Sequence, residues 1–153
     1  MANPFDFSAG ATLTAAQLNQ IGDYESWTPT LTNITIGNGT VNAHYAQVNE
    51  FVHFEIEFIM GSTTSLSSTS MGFSLPVAYG GTLNFPVVGS GWTRPQNSTI
   101  YPVTVVLGSS TSKIVPYFYQ NVTYVQSVSV RSSLPETWNS SGVLYMSGSY
   151  RVA

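Results

Sequence analysis

Few residues of this chain could do chemistry, and most of them fall in one stretch, "HYAQVNEFVHFEIEF" at positions 44 to 58. It holds both histidines, His44 and His53, together with Glu55 and Glu57. Two chemistries deserve a test. A zinc or manganese site needs three or four converging ligands with supporting partners behind them. Hydrolysis of a glycosidic bond needs two carboxyl groups roughly 5–10 Å apart on either side of the bond. Glu55 and Glu57 are spaced i, i+2, which on a strand puts them on one face at a distance within that range. The register sets His53 apart along the face from the His44–Glu55 pair, and a polar sheet face explains these residues without catalysis. The expectation is therefore no catalytic residue, no metal and no cofactor, and the chain is not read as an enzyme. No G-x-S-x-G, Walker loop or G-x-G-x-x-G occurs elsewhere.

What positions these side chains is a hairpin that can be read from the pattern alone. With Asn49-Glu50 as a two-residue turn, Val48 pairs with Phe51. Val41, Ala43 and Tyr45 then share a face with Val52, Phe54, Ile56 and Phe58. The other face sets Asn42 and His44 opposite Glu57 and Glu55. One register sorts both strands into an apolar and a polar side, which is how register becomes fixed when one side is buried.

The wider composition narrows the function classes. The chain has 153 residues, enough for one domain, and only 7% of them are charged against about 25% in ordinary soluble domains. With 42% apolar residues it can still bury a core, so low charge here means a neutral surface rich in hydroxyls and amides. Four Lys and Arg cannot form a phosphate-neutralising patch, so no nucleic-acid partner is expected. No apolar run approaches a membrane span, and no membrane insertion is expected. No cysteine is present, which rules out disulfides and thiolate metal sites. The opening "MANPFDFSAG" lacks a basic and an apolar region, so no signal peptide is expected. A surface with so little charge also lacks the repulsion that keeps monomers apart, which points to permanent assembly.

The segment "ATLTAAQLNQIG" (11–22) predicts the one helix of the chain. Thr14 and Gln17 form a capping box, Leu13 and Leu18 a hydrophobic staple, and Gly22 suits the left-handed stop. Two turns are marginal alone in water, so the helix needs a surface to rest on. From Trp27 the period changes to two. "SWTPTLTNITIGNG" reads as a strand starting or running at an edge near Pro29, and the Asn-Gly at 38–39 suits a type I′ turn. Residues 61–70 read as a hydroxyl-rich loop. Further strands are expected over 71–75, 83–91, 99–107, 112–119, 121–130 and 142–152. Short strands at this spacing predict a mainly β fold, an antiparallel β-sandwich of jelly-roll type preceded by a short arm and helix. The expected division is an attachment segment over 1–25 and a β-sandwich domain over 26–153.

Aromatics make up 13% of the chain. Tyr and Trp stack well and keep a polar tip, so they serve cores, subunit contacts and sugar-binding surfaces alike. Trp92, Tyr117, Tyr119 and Trp138 are the candidate glycan contacts, with core or interface duty as the competing use. The five N-x-S/T sequons, at Asn33, Asn38, Asn97, Asn121 and Asn139, follow from an Asn-, Ser- and Thr-rich composition.

Two motifs carry a family resemblance over the first half of the chain. One is Gly10 with Leu13 to Asn19, of the pattern G-x-x-LTAAxLN. The other runs through Trp27 to Leu31, Asn33, Gly37 to Thr40 and Tyr45, then "VHFEIEF" and "FSLPV" at 73–77. Together they resemble small virion proteins of tailed bacteriophages: minor tail proteins, tail or head fibres and decoration proteins. The resemblance implies a non-enzymatic structural protein, a homotrimer anchored to other virion proteins by its N-terminus and assembled into particles in the bacterial cytoplasm. Phe5, Phe7, Leu13, Leu18 and Ile21 are the expected attachment residues. A β-domain facing outward could contact a host-surface glycan. The alternatives are a capsid decoration or head-fibre protein and, in a different class, a carbohydrate-binding module; a glycan depolymerase fits least, because acids are few.

Overall fold

The computed structural model describes residues 10, 12, 14, 22–84, 86–96, 98–108, 112–121 and 125–152, with the backbone alone for 120, 121, 125 and 126. Most of the helix expected over 11–22, residues 11, 13 and 15–21, and the attachment residues Phe5, Phe7, Leu13, Leu18 and Ile21 lie outside these. Among the described residues there is no helix, and Gly22 has the left-handed φ of 82°.

The described chain is built from strands: β1 (Glu25–Ser26), β2 (Leu31–Thr32), β3 (Ile34–Thr35), β4 (Thr40–Val48), β5 (Phe51–Ile59) and β6 (Ser65–Leu66). After these come β7 (Gly72–Ser74), β8 (Val87–Arg94), β9 (Tyr101–Leu107), β10 (Lys113–Asn121), β11 (Val125–Ser129) and β12 (Val143–Arg151). Ten of them form one antiparallel sheet in the order β1-β4-β5-β12-β8-β9-β10-β7-β2, with β11 also on β10; β3 and β6 pair separately. The fold is thus mainly β and antiparallel, as expected. Its layers are one continuous sheet curled strongly into a half-barrel.

The β4–β5 hairpin has the register read from the sequence. Val48 pairs with Phe51, His44 with Glu55 and Asn42 with Glu57. Asn49 takes the positive φ (53°) that a two-residue turn demands. Ala43, Tyr45, Val52, Phe54, Ile56 and Phe58 are all buried on the concave side. They meet Leu144, Met146 and Tyr150 of β12 and, from the far half of the sheet, Val105, Leu107, Ile114 and Phe73. The rings of Phe58 and Phe73 approach edge-on at 6.3 Å, joining strands that are far apart in the sheet order.

β12 and β8 approach each other closely between the two halves. Gly148 is the register partner of Gly89, and Met146 that of Gly91. A β-carbon on Gly148 would collide with the carbonyl oxygen of Val88, and one on Gly89 or Gly91 with the carbonyl of Ser147 or Tyr145. The two backbones approach this closely only because no side chain intervenes. A bulge between Val87 and Gly89 in the β8–β9 pairing adds to the local twist.

The segment "SWTPTL" behaves differently from the single strand expected. β1 and β2 lie at opposite ends of the sheet order, yet only four residues separate them. The five Cα steps from Ser26 to Leu31 span at most about 17 Å. The chain therefore straps one end of the curled sheet to the other. Trp27 N–H donates to Ala43 O at 3.0 Å beside β1, and Thr30 exchanges bonds with Ser74 of β7, giving N–H to Oγ at 2.9 Å and accepting from Ser74 N–H at 3.0 Å. Pro29, between them, is buried. The "GNG" turn also departs from expectation. Gly39 N–H bonds Ile36 O, so Gly37 and Asn38 are the central pair, with Gly37 at φ 56°. The turn joins β3, which pairs with β6, to β4, which pairs with β5; it is no hairpin. It locks instead onto the loop at 61–64. Asn38 Oδ1 accepts from Thr63 N–H (2.8 Å) and Oγ1 (2.9 Å), while Asn38 Nδ2 donates to Ser62 Oγ (3.0 Å).

The later strands match the expected runs with shifted ends, most of all β8, which begins at Val87 and continues through Arg94, past the expected end at 91. Tyr150 closes the top of the core. Its hydroxyl donates to Val77 O at 2.7 Å, and burial pushes its pKa up to about 12. The folded protein therefore keeps a proton that the unfolded chain releases near pH 10. Stability is complete below pH 10 and falls as pH rises toward 12. Urea melts should show that decline, and Tyr150→Phe should flatten it. Gly148→Ala should cost about 3 kcal/mol in the same measurement, because the collision is with backbone.

Candidate functional site

On a curled sheet the concave side is core and the convex side is what a partner meets. Register fixes which residues stand together on it. Asn42 of β4, Glu57 of β5, Tyr145 of β12, Trp92 of β8 and Pro102 of β9 are successive cross-strand partners and form one row across five strands. The last pair of β9 with β10 is Val103 with Phe118, so Tyr119 occupies the next position, level with Pro102. A second row, one pleat away, runs Ser26, His44, Glu55, Ser147, Ser90, Thr104 and Tyr117.

Where the rows cross β4, β5 and β12, the surface dips into an open hollow of about 300 Å³ lined by Asn42, His44, Glu55, Glu57 and Tyr145. Asn42, exposed, donates from Nδ2 to Glu57 Oε2 at 3.1 Å, and its amide oxygen is an acceptor. His44 Nδ1 lies 3.5 Å from Glu55 Oε1, and both side chains are 41% exposed. That is an ion-pair approach at a wet surface. Tyr145 stacks on Trp92 with ring centroids 6.3 Å apart and planes 27° from parallel. The pair makes a flat, half-buried aromatic step beside the carboxylates.

Glu55 and Glu57 project side by side from one strand into the same open hollow. Among the described residues, no group of three or more His, Asp and Glu comes together in a way that could hold a metal ion.

The candidate glycan contacts separate in space. Trp92 lies in the first row. Tyr119 is exposed at 62%, and Tyr117 is half-buried two strands from Trp92. Phe118 between them is buried, as the alternation predicts. Trp138 belongs to the core instead: it is 7% exposed and its ring packs 6.0 Å from Phe58. A side chain so enclosed has no surface to offer a glycan, which corrects its place among the candidates. Sequence reasoning set Asn42 opposite Glu57 without making it a site residue; Tyr145, one of the aromatics that could line a sugar-binding surface, joins Trp92 only through the register of β12 between β5 and β8.

Compared with protein-family models, with curated proteins and with solved structures, the chain matches none. No helix among the described residues is long and apolar enough to cross a membrane. The polar row predicts its own dispensability for folding. Glu55→Gln and Glu57→Gln should each change the free energy of unfolding by less than about 1 kcal/mol, measured by urea denaturation, because both partners are solvated.

Proposed function

We propose that this chain is a non-enzymatic structural protein of a tailed-bacteriophage virion, a homotrimeric fibre- or adaptor-like component anchored by its N-terminal segment. The observation that carries this reading is one group of exposed apolar side chains beside Gly22 and the β4–β5 turn; Leu83, Val87, Ile100 and Tyr119 are exposed too. Tyr24 is 60% exposed, Phe51 54% and Val48 37%. Val48 and Phe51 flank the hairpin turn, and a β-carbon at Gly22 would lie 3.3 Å from Val48 Cγ2. Gly22, which follows the expected attachment residues Phe5, Phe7, Leu13, Leu18 and Ile21 in the chain, therefore lies beside this patch. Large exposed apolar side chains gathered at one end mark a surface that a partner covers.

The body itself fits the jelly-roll type in one respect. Its two halves face each other across a single core, as the Phe58–Phe73 contact illustrates. The motifs behind the family resemblance support the same reading from another side. Trp27 to Leu31, Tyr45 and Phe73 to Val77 all lie at or beside the strap that closes the sheet. Trp27 packs edge-on to Tyr45 at 5.8 Å, and Leu31 pairs with Phe73. They hold the body together and leave attachment to the residues before them.

A second reading, a carbohydrate-binding module, is favoured by the aromatic step on the convex face, and the two are compatible in a virion protein that meets a host surface. A truncation separates anchoring from folding. Deletion of residues 1–22 should leave a folded trimer by ultracentrifugation and circular dichroism that fails to enter particles. Incorporation of the truncated protein at the level of the full chain would refute the anchoring role.

A further inference from the structure

We infer that the convex row from Asn42 to Tyr119 is a binding track for a neutral oligosaccharide laid across the strands. This deepens the glycan-contact reading above and rests on the convex face being the outward one.

The argument begins with spacing. Neighbouring strands lie about 4.8 Å apart, so the row from β4 to β10 covers roughly 24 Å of sheet. That is the length of four or five pyranose rings in an extended chain. The row is chemically graded along this length. At one end Asn42 and Glu57 present an amide oxygen and carboxylate oxygens, which accept hydrogen bonds from sugar hydroxyls. In the middle, the half-buried Trp92–Tyr145 pair offers apolar ring surface to the C–H groups of a sugar. At the other end stand Pro102 and Tyr119, both exposed. Strand pleat keeps all six on one side, and the curl of the sheet makes the track convex.

Charge selects the class of sugar. Glu55 and Glu57 stand at the hollow, with His44 beside Glu55. Arg94 is one pleat from Trp92 on the same face, in the row of Val143 and Ile59, and its Nε is enclosed without a partner. The cation is thus set back from the hydroxyl-binding end, where two carboxylates repel a sialic or uronic acid. A neutral ring meets acceptors and an aromatic face with no charge to desolvate. The chain's sparse charge elsewhere adds no electrostatic capture, so affinity has to come from contact length.

The test uses the full chain and neutral homo-oligosaccharides of one to six units, from gluco-, galacto-, manno- and N-acetylglucosamine series, titrated by calorimetry and protein-observed NMR. Oligogalacturonate and sialyllactose serve as the anionic comparison. One neutral series should bind, with affinity rising from one unit to about four or five and then levelling. Trp92→Ala should weaken it roughly tenfold or more. Tyr119→Ala, a change at an exposed position that cannot unfold the protein, should weaken binding of the longer oligomers and leave the dimer unaffected. Absence of binding by every neutral series at about 10 mM would overturn the inference. So would binding indifferent to both variants, or preference for the anionic sugars. Failure here is distinguishable from failure of the virion reading, because particle incorporation of the truncated chain is scored without any sugar.

Discussion

A single sheet with one apolar face has no second layer to bury it against, so it must bend until that face meets itself. Here the bend depends on the contact between the β8 and β12 backbones at Gly89, Gly91 and Gly148, where a β-carbon would strike a carbonyl of the neighbouring strand. Once the strands close to that distance, Phe58 reaches Phe73, and Val52, Ile56, Leu144 and Met146 become wholly enclosed. The strap from Ser26 to Leu31 then ties the sheet's two ends, with Trp27 bonded to β4 and Thr30 to β7. Curl and strap act together: either alone would leave the apolar face partly in water.

The convex face follows from the same geometry. Because every side chain that points inward is committed to the core, the alternate residues are free to be polar and aromatic without cost to folding. That freedom explains how a chain with 7% charged residues can gather two carboxylates, an imidazole and a stacked Trp–Tyr pair in one small region. It also separates the two surfaces by place. The apolar end at Tyr24, Val48 and Phe51 lies where the N-terminal segment joins, whereas the hollow lies farther along β4 and β5 toward their other end.

How much of this could be read from the residues depends on the range of the interaction. The β4–β5 hairpin was legible to the residue, since alternation of apolar and polar side chains fixes register locally and Asn49 supplies a positive φ. The mainly β class and the approximate strand positions were legible for the same reason. The single curled sheet was not, because Gly89, Gly91 and Gly148 read as ordinary weak points in two strands whose pairing is long-range. Nor was the strap. "SWTPTLTNITIGNG" alternates like one strand, yet its ends pair with β4 and β6 and its middle with β7. In the site, His44, Glu55 and Glu57 came together from one hairpin, whereas Trp92 and Tyr145 met only through β12. Trp138 shows the limit of composition: an indole in a polar loop region looks available, and the fold encloses it.

The central claim is that one curled sheet encloses its core by itself and leaves its convex row open. Hydroxyl-radical footprinting of the full chain in solution measures this directly. The account predicts rapid modification of Tyr119 and Trp92, with Phe58, Phe73 and Trp138 protected. Protection of Trp92 and Tyr119 to the level of Trp138 would show the convex face buried against another surface and would contradict it.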